Sequence, residues 1–128
     1  MTRGGQTATP HDPILCASYQ RGIELIGRRW TGAIISVLVT GPKRFSELAQ
    51  GIPGVSERLL SERLRELEAE ALVTRHVEAG PPLAVRYELT VGGQELEPAL
   101  VAVAAWAERW MPEGTPEPRP EVAGGRAL

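Results

Sequence analysis

The stretch from Ser56 to Arg65 reads SERLLSERLR. At about 100° per residue, Arg58, Ser61, Glu62 and Arg65 share one side of a helix there. Near the start of that helix Ser56, Arg58, Ser61 and Glu62 have the groups that read base edges. A guanidinium makes a bidentate contact with guanine, and a carboxylate accepts from the cytosine amino group. Arg65 lies further along and, with Lys43, Arg44, Arg75, His76 and Arg86, suits phosphate contacts, which fix register without reading sequence. The same helix has a plainer reading, in which Glu62 and Glu66 pair with Arg58, Arg63 or Arg65 on a solvated face.

Other chemistry is sparse. Cys16 is the only cysteine, which excludes an intramolecular disulfide framework and a cysteine-built zinc site, and no metal or cofactor is expected. A thiolate at Cys16 is the reactive form, favoured by a cation such as Arg21 one or two turns on. A buried cysteine is instead an inert small hydrophobe. Oxidation of a lone thiol leads to an intersubunit disulfide, a mixed disulfide or a sulfenic acid. His11 lies in a polar leader and His76 on a strand with no evident carboxylate or nucleophile beside it, and no glycine-rich phosphate loop occurs. Catalysis is therefore not expected. Tyr19, Trp30, Trp106 and Trp110 are either core or the lining of an apolar ligand pocket.

These groups need a scaffold, and 128 residues at 42% hydrophobic content suit one domain. The opening segment 1–11 is small and polar, and 113–128 is rich in Pro, Gly and Glu. Both are expected to be disordered, leaving 12–112 as the folded part. No secretory leader and no run near the roughly 20 apolar residues that span a bilayer is evident, so a soluble, cytoplasmic protein without a membrane partner is expected. The net charge is −2, whereas a nucleic-acid binder is more often basic. The charge is uneven, however: Arg28 to Thr90 holds nine basic and eight acidic residues, and Val91 to Leu128 three and six. A polyanion responds to the local face, because exposed charges are screened within about 10 Å.

Periodicity and punctuation supply the elements. Asp12–Pro13 fits a cap with proline at the first helical position, opening a helix that runs to Gly27. RRWTGAIISVLVT reads as a core helix stopped by Gly41–Pro42. Ser46 is expected to cap SELAQGI, and Ser56 the next helix, with Gly51, Pro53 and Gly54 breaking the chain between them. Leu60, Leu64, Leu67 and Ala71 recur on one side and are expected to be buried. LVTRHV and LAVRYEL read as strands joined by the turn EAGPP, with Leu83, Val85, Tyr87 and Leu89 alternating inward. Helix, turn, helix and hairpin is the order of a winged helix, an α+β fold that is mainly α, with its second helix in the major groove. Ala99 to Ala107, ALVAVAAWA, has no polar residue. Its apolar sides suit a two-fold dimer formed together with the N-terminal helix, and hence a pseudo-palindromic DNA site.

Cys16, IGRRW, KRFSEL, GVSERLLSERLRELEAEALVTR, RYELTVGG, Pro98 and Trp106, in this order, resemble the HxlR-type winged-helix transcriptional regulators, relatives of the MarR group. The resemblance spans about Cys16 to Trp106. It implies a homodimeric regulator of double-stranded DNA, usually acting on nearby genes, with N- and C-terminal dimerisation helices and a thiol at Cys16 that answers oxidants or electrophiles. Two positions depart from the family pattern. Gly27-Arg28-Arg29-Trp30 stands where Gly-Gly-Lys-Trp is common, and Ala71 stands where a glycine is common. Either the helix end at Ala71 needs no left-handed residue, or the end is displaced. The rival expectation is a winged-helix module for protein interaction or ligand binding without specific DNA recognition.

Overall fold

Caps set where the helices begin, and that of the third lies elsewhere than the sequence suggests. A computed structural model describes residues 15–112. The expected disordered flanks and the Asp12–Pro13 cap fall outside the described residues. The first described helix, α1 (Ala17–Ile26), is capped by Cys16, whose Sγ accepts from the Tyr19 N–H at 3.4 Å. Helix α2 (Thr31–Leu38) starts after Trp30, which adopts φ 79°. The RRW triplet therefore belongs to the connector and not to the helix. A left-handed, bulky residue costs on the order of 1–3 kcal/mol, so surrounding contacts must hold it.

Lys43–Arg44 forms a two-residue strand, β1, which the sequence does not announce because so short an edge carries no periodicity. Helix α3 (Phe45–Gly51) follows directly. Its first turn is closed by Glu47, whose Oε1 accepts from the Arg44 N–H at 2.7 Å, and not by the expected Ser46, which is exposed inside the helix. Helix α4 (Glu57–Ala69) is capped as expected: the Ser56 Oγ accepts from the Leu59 N–H at 3.1 Å.

Strands β2 (Val73–Glu78) and β3 (Ala84–Leu89) form the hairpin, and the sheet runs β1-β3-β2, antiparallel throughout. Leu83 lies outside β3 and is exposed. Of the expected inward set only Leu89 is buried, Val85 and Tyr87 being half-buried like Ala84 and Arg86. A short sheet with little packed against its outer half blurs the in–out alternation.

The core joins Ile34, Ile35 and Leu38 of α2, Leu48 of α3 and Ile52 just after it, Leu60, Leu64 and Leu67 of α4, Val73 of β2 and Leu89 of β3. Ala71 is not part of it. That residue lies beyond α4, exposed, at φ 60°. The left-handed position is thus kept and occupied by alanine. The Thr90 hydroxyl holds it, donating to the Ala71 carbonyl at 2.7 Å and accepting from the Gly93 N–H at 3.2 Å. Gly93 lies in a single-turn helix, α5 (Val91–Gln94), where a Cβ would collide with the Leu72 carbonyl and stand 2.8 Å from Leu89 Cδ2.

Among the described residues these elements form one compact unit, ending at Gln94, and the residues from Glu95 onward belong to a second. The second contains α6 (Glu97–Trp110), with Pro98 in its first turn, where a missing N–H has no intrahelical partner to lose. Val101, Val103, Trp106 and Trp110 of α6 are exposed. The molecule is mainly helical with a small antiparallel sheet, a winged helix-turn-helix. Among the described residues no helix is long and apolar enough to cross a membrane.

Candidate nucleic-acid interface

The helix-turn-helix is α3, the turn from Ile52 to Ser56, and α4. Ile52 anchors the turn in the core, and Gly54 at φ 92° lets the chain reverse. A Cβ at Gly54 would sit 3.4 Å from Cη2 of Trp30, so the turn rests against that ring. With Leu60, Leu64 and Leu67 buried, the opposite arc of α4 carries Arg58, Ser61, Glu62 and Arg65, centred about 150° from Leu60. The Arg58 side chain is 89% exposed, with Nε 3.4 Å from Glu62 Oε2. An exposed i,i+4 pair of this kind contributes about 0.3–0.5 kcal/mol. Either member is therefore easily released to a base edge. Arg65 is exposed on the same arc, and Ser61 is half-buried at its edge.

The cations grouped together by sequence fall on two faces of the sheet. Arg44 stands opposite Arg86, and Arg86 opposite His76, forming one row across all three strands. Lys43, Tyr87 and Arg75 form the neighbouring row. Successive strand residues point to opposite faces, so Arg75 and His76 cannot serve one surface, nor can Lys43 and Arg44. Like charges directly opposite one another disfavour the sheet by some tenths of a kcal/mol unless an anion lies against them. Part of that is relieved internally: Arg86 Nε is 3.5 Å from Glu78 Oε2, and His76 Nε2 is 2.9 Å from Glu88 Oε1. His76 thus has the carboxylate partner that its sequence context does not reveal, because Glu88 arrives from the other strand of the hairpin. Lys43 Nζ reaches the Gly41 carbonyl at 3.4 Å.

Arg63 has a different setting from the other arginines of α4. Its side chain is 14% exposed; Nε–H donates to the Arg29 carbonyl at 3.0 Å, and the guanidinium meets Glu66 Oε2 at 3.2 Å. Arg28 reaches the same carboxylate oxygen at 3.7 Å. Sequence reading treats Arg63 as one more surface partner for a glutamate. The available signal was its angular position, about 60° from Leu60 and so beside the buried stripe.

Cys16 is half-buried and outside any disulfide. Arg21, expected to favour its thiolate, bonds Glu70 Oε1 at 2.9 Å just beyond α4. The four aromatics have unlike surroundings. Trp30 lies under the Arg29 guanidinium, 4.8 Å from its ring centroid, and against Gly54. Tyr19 is exposed on α1, and Trp106 and Trp110 are exposed on α6, with Arg109 5.5 Å over Trp110. Among the described residues no group of three or more His, Cys, Asp or Glu could hold a metal ion.

Comparison with known proteins agrees with this architecture. The model of the HxlR-like helix-turn-helix family matches residues 25–115. The HTH-type transcriptional regulator YodB of Bacillus subtilis is 40% identical over 100 residues, covering 78% of this chain and 89% of YodB. Its reduced structure superposes at TM-score 0.71 over 78% of this chain and 98% of that one, and its quinone-bound structure at 0.66 over 74% and 99%, both at 40% identity. The redox regulator HypR in its reduced form is 34% identical, with TM-score 0.67 over 73% of this chain and 92% of HypR. Likeness of this extent, in sequence and in the helix-turn-helix it folds into, means that the chain belongs to the HxlR-like helix-turn-helix family, whose members similar to it are transcriptional regulators.

Proposed function

We propose that the protein is a homodimeric, sequence-specific DNA-binding transcriptional regulator that acts on a pseudo-palindromic operator. In this reading α4 enters the major groove, where Ser56, Arg58, Ser61 and Glu62 meet base edges. Arg65, Arg44, Arg86 and His76 meet backbone phosphates, and Lys43 and Arg75 form a second cationic face beside the hairpin. The observation that carries the reading is the polarity of α4, with three fully buried leucines on one side and an exposed, arginine-bearing arc on the other. Local charge on that arc outweighs the whole-chain sum of −2, because screening removes distant charges from the balance.

Two-fold symmetry would place the two α4 helices about 34 Å apart, or a multiple of that, to meet half-sites on one side of the duplex. The apolar length of α6 supports a second subunit as its cover. An oxidant or electrophile that reacts with Cys16 is the proposed signal. Structures of YodB in diamide-treated and quinone-bound form support a signal of this class. In this chain the thiol caps α1, so a covalent adduct on Sγ would crowd and weaken the acceptor of the Tyr19 N–H. The chain is proposed to work in the cytoplasm.

Selection of bound fragments from the source genome, followed by titration of the best fragment at several salt concentrations, tests the reading. Affinity that falls steeply with salt, through released counterions, supports it. Salt-insensitive or absent DNA binding would favour the alternative, an interaction or ligand-binding module that uses the exposed aromatics of α1 and α6.

A further inference from the structure

We infer that Arg63 is a positioning residue for base recognition: it sets the roll of α4 by tying that helix to the left-handed connector before α2, without touching DNA itself. The inference rests on the proposed role of α4 as the reading helix. Apolar contact is non-directional, so the leucine stripe fixes the depth of α4 more firmly than its rotation. Hydrogen bonds are directional, and the planar guanidinium fork constrains orientation more than any other side chain.

Arg63 uses that fork in two directions. Nε–H donates to the Arg29 carbonyl at 3.0 Å, and the outer nitrogen reaches Glu66 Oε2 at 3.2 Å. The receiving carbonyl is itself fixed. Trp30 follows it at φ 79°, the Trp30 ring lies against Gly54 of the turn, and the Arg29 guanidinium covers that ring at 4.8 Å. The Thr31 N–H donates to the Arg28 carbonyl at 3.2 Å, and Arg28 also meets Glu66 at 3.7 Å. A closed loop results: α4 to connector through Arg63, connector to turn through Trp30, and turn to α4 through the chain. A strained tryptophan and a largely buried arginine are both explained if the loop exists to orient α4.

The sensitivity of base reading to roll is large. Turning a helix by about 20° moves atoms some 6 Å from its axis by about 2 Å, several times the spread of a hydrogen-bond length. Arg58 precedes Arg63 by five residues and lies about 140° from it around the helix axis, and because a helix rolls as one body such a turn would carry the Arg58 guanidinium off a guanine edge. Phosphate contacts, made by flexible side chains to a uniform backbone, would tolerate it.

The test uses the full chain and a duplex chosen from a random-sequence library by the wild-type protein, with a scrambled duplex as control. Arg63→Met is expected to lose about tenfold of the ratio between selected and scrambled affinity while scrambled affinity stays within about twofold, the scale of one lost bidentate contact. Arg58→Ala is expected to cost far less in the Arg63→Met background than in wild type, a coupling that general destabilisation would not produce. Arg63→Lys, which keeps the charge but cannot hold Arg29 and Glu66 together, replaces the methionine variant should that one not fold, and is expected to lose several-fold of the ratio. Wild-type discrimination in the folded variant, or an undiminished Arg58→Ala effect, would overturn the role of Arg63 while leaving the regulator reading intact. Failure of the wild-type chain to select any duplex would overturn that reading and the inference with it.

Discussion

Ala71 shows how much one residue can store. At φ 60° an alanine crowds its Cβ against the following carbonyl, and the Thr90 hydroxyl retains the conformation by bonding the Ala71 carbonyl. Ala71→Gly should therefore raise unfolding free energy by about 1 kcal/mol in a denaturant titration, relief of strain exceeding the added freedom of the unfolded chain. Arg58 belongs to the other kind of residue, exposed and weakly paired to Glu62. Arg58→Ala should leave the melting temperature nearly unchanged, yet cost about 1–3 kcal/mol on the selected operator, and much less on random duplex, as read by fluorescence anisotropy. Equal losses on both DNAs would remove it from base reading. Cys16 permits a clean substitution. Because serine is among the best N-caps, Cys16→Ser should preserve α1 and DNA binding while abolishing release of DNA by diamide or quinone. Release that persists in the serine variant would exclude Cys16 as the sensor.

Among the elements, the junction from α4 through Leu72 to α5 is the tightest. The Leu72 N–H closes onto the Leu67 carbonyl at 2.9 Å, the Thr90 N–H reaches the Leu72 carbonyl at 3.0 Å, and Gly93 packs with no room for a side chain. Gly93→Ala is expected to cost about 3 kcal/mol or more, since the colliding atom is backbone and cannot rotate aside. A thermal melt within a degree or two of wild type would show that the junction is looser than it looks. The turn before α4 is organised differently. There Gly54 supplies a left-handed reversal, and its surface is filled by Trp30 from outside the helix-turn-helix.

For the whole molecule the question is what covers α6. Val103 is 53% exposed, and a substitution at such a position in a monomer would change stability by less than about 0.5 kcal/mol. In the proposed dimer, Val103→Glu instead places a charge in an apolar interface. Sedimentation equilibrium at micromolar concentration should then show a dimer for wild type and a monomer for the variant, with operator affinity falling in parallel. An unchanged sedimentation profile would direct attention to another face.

By itself the sequence determined whatever depends on local spacing and on residue type. The leucine repeat of α4, the Ser56 cap, the apolar α2, the hairpin and hence the winged helix-turn-helix are all legible, because helix and strand periods and capping chemistry act within a few residues. Only the tertiary structure decided which cation faces which partner. Arg63 turned inward to the Arg29 carbonyl, His76 met Glu88 across the hairpin, Arg21 met Glu70 beyond α4, and β1 divided Lys43 from Arg44. The reason is reach. A long cationic side chain chooses its partner from what folding brings within a few ångströms, and those partners lie 12 to 49 residues away in the chain, where no local pattern records them.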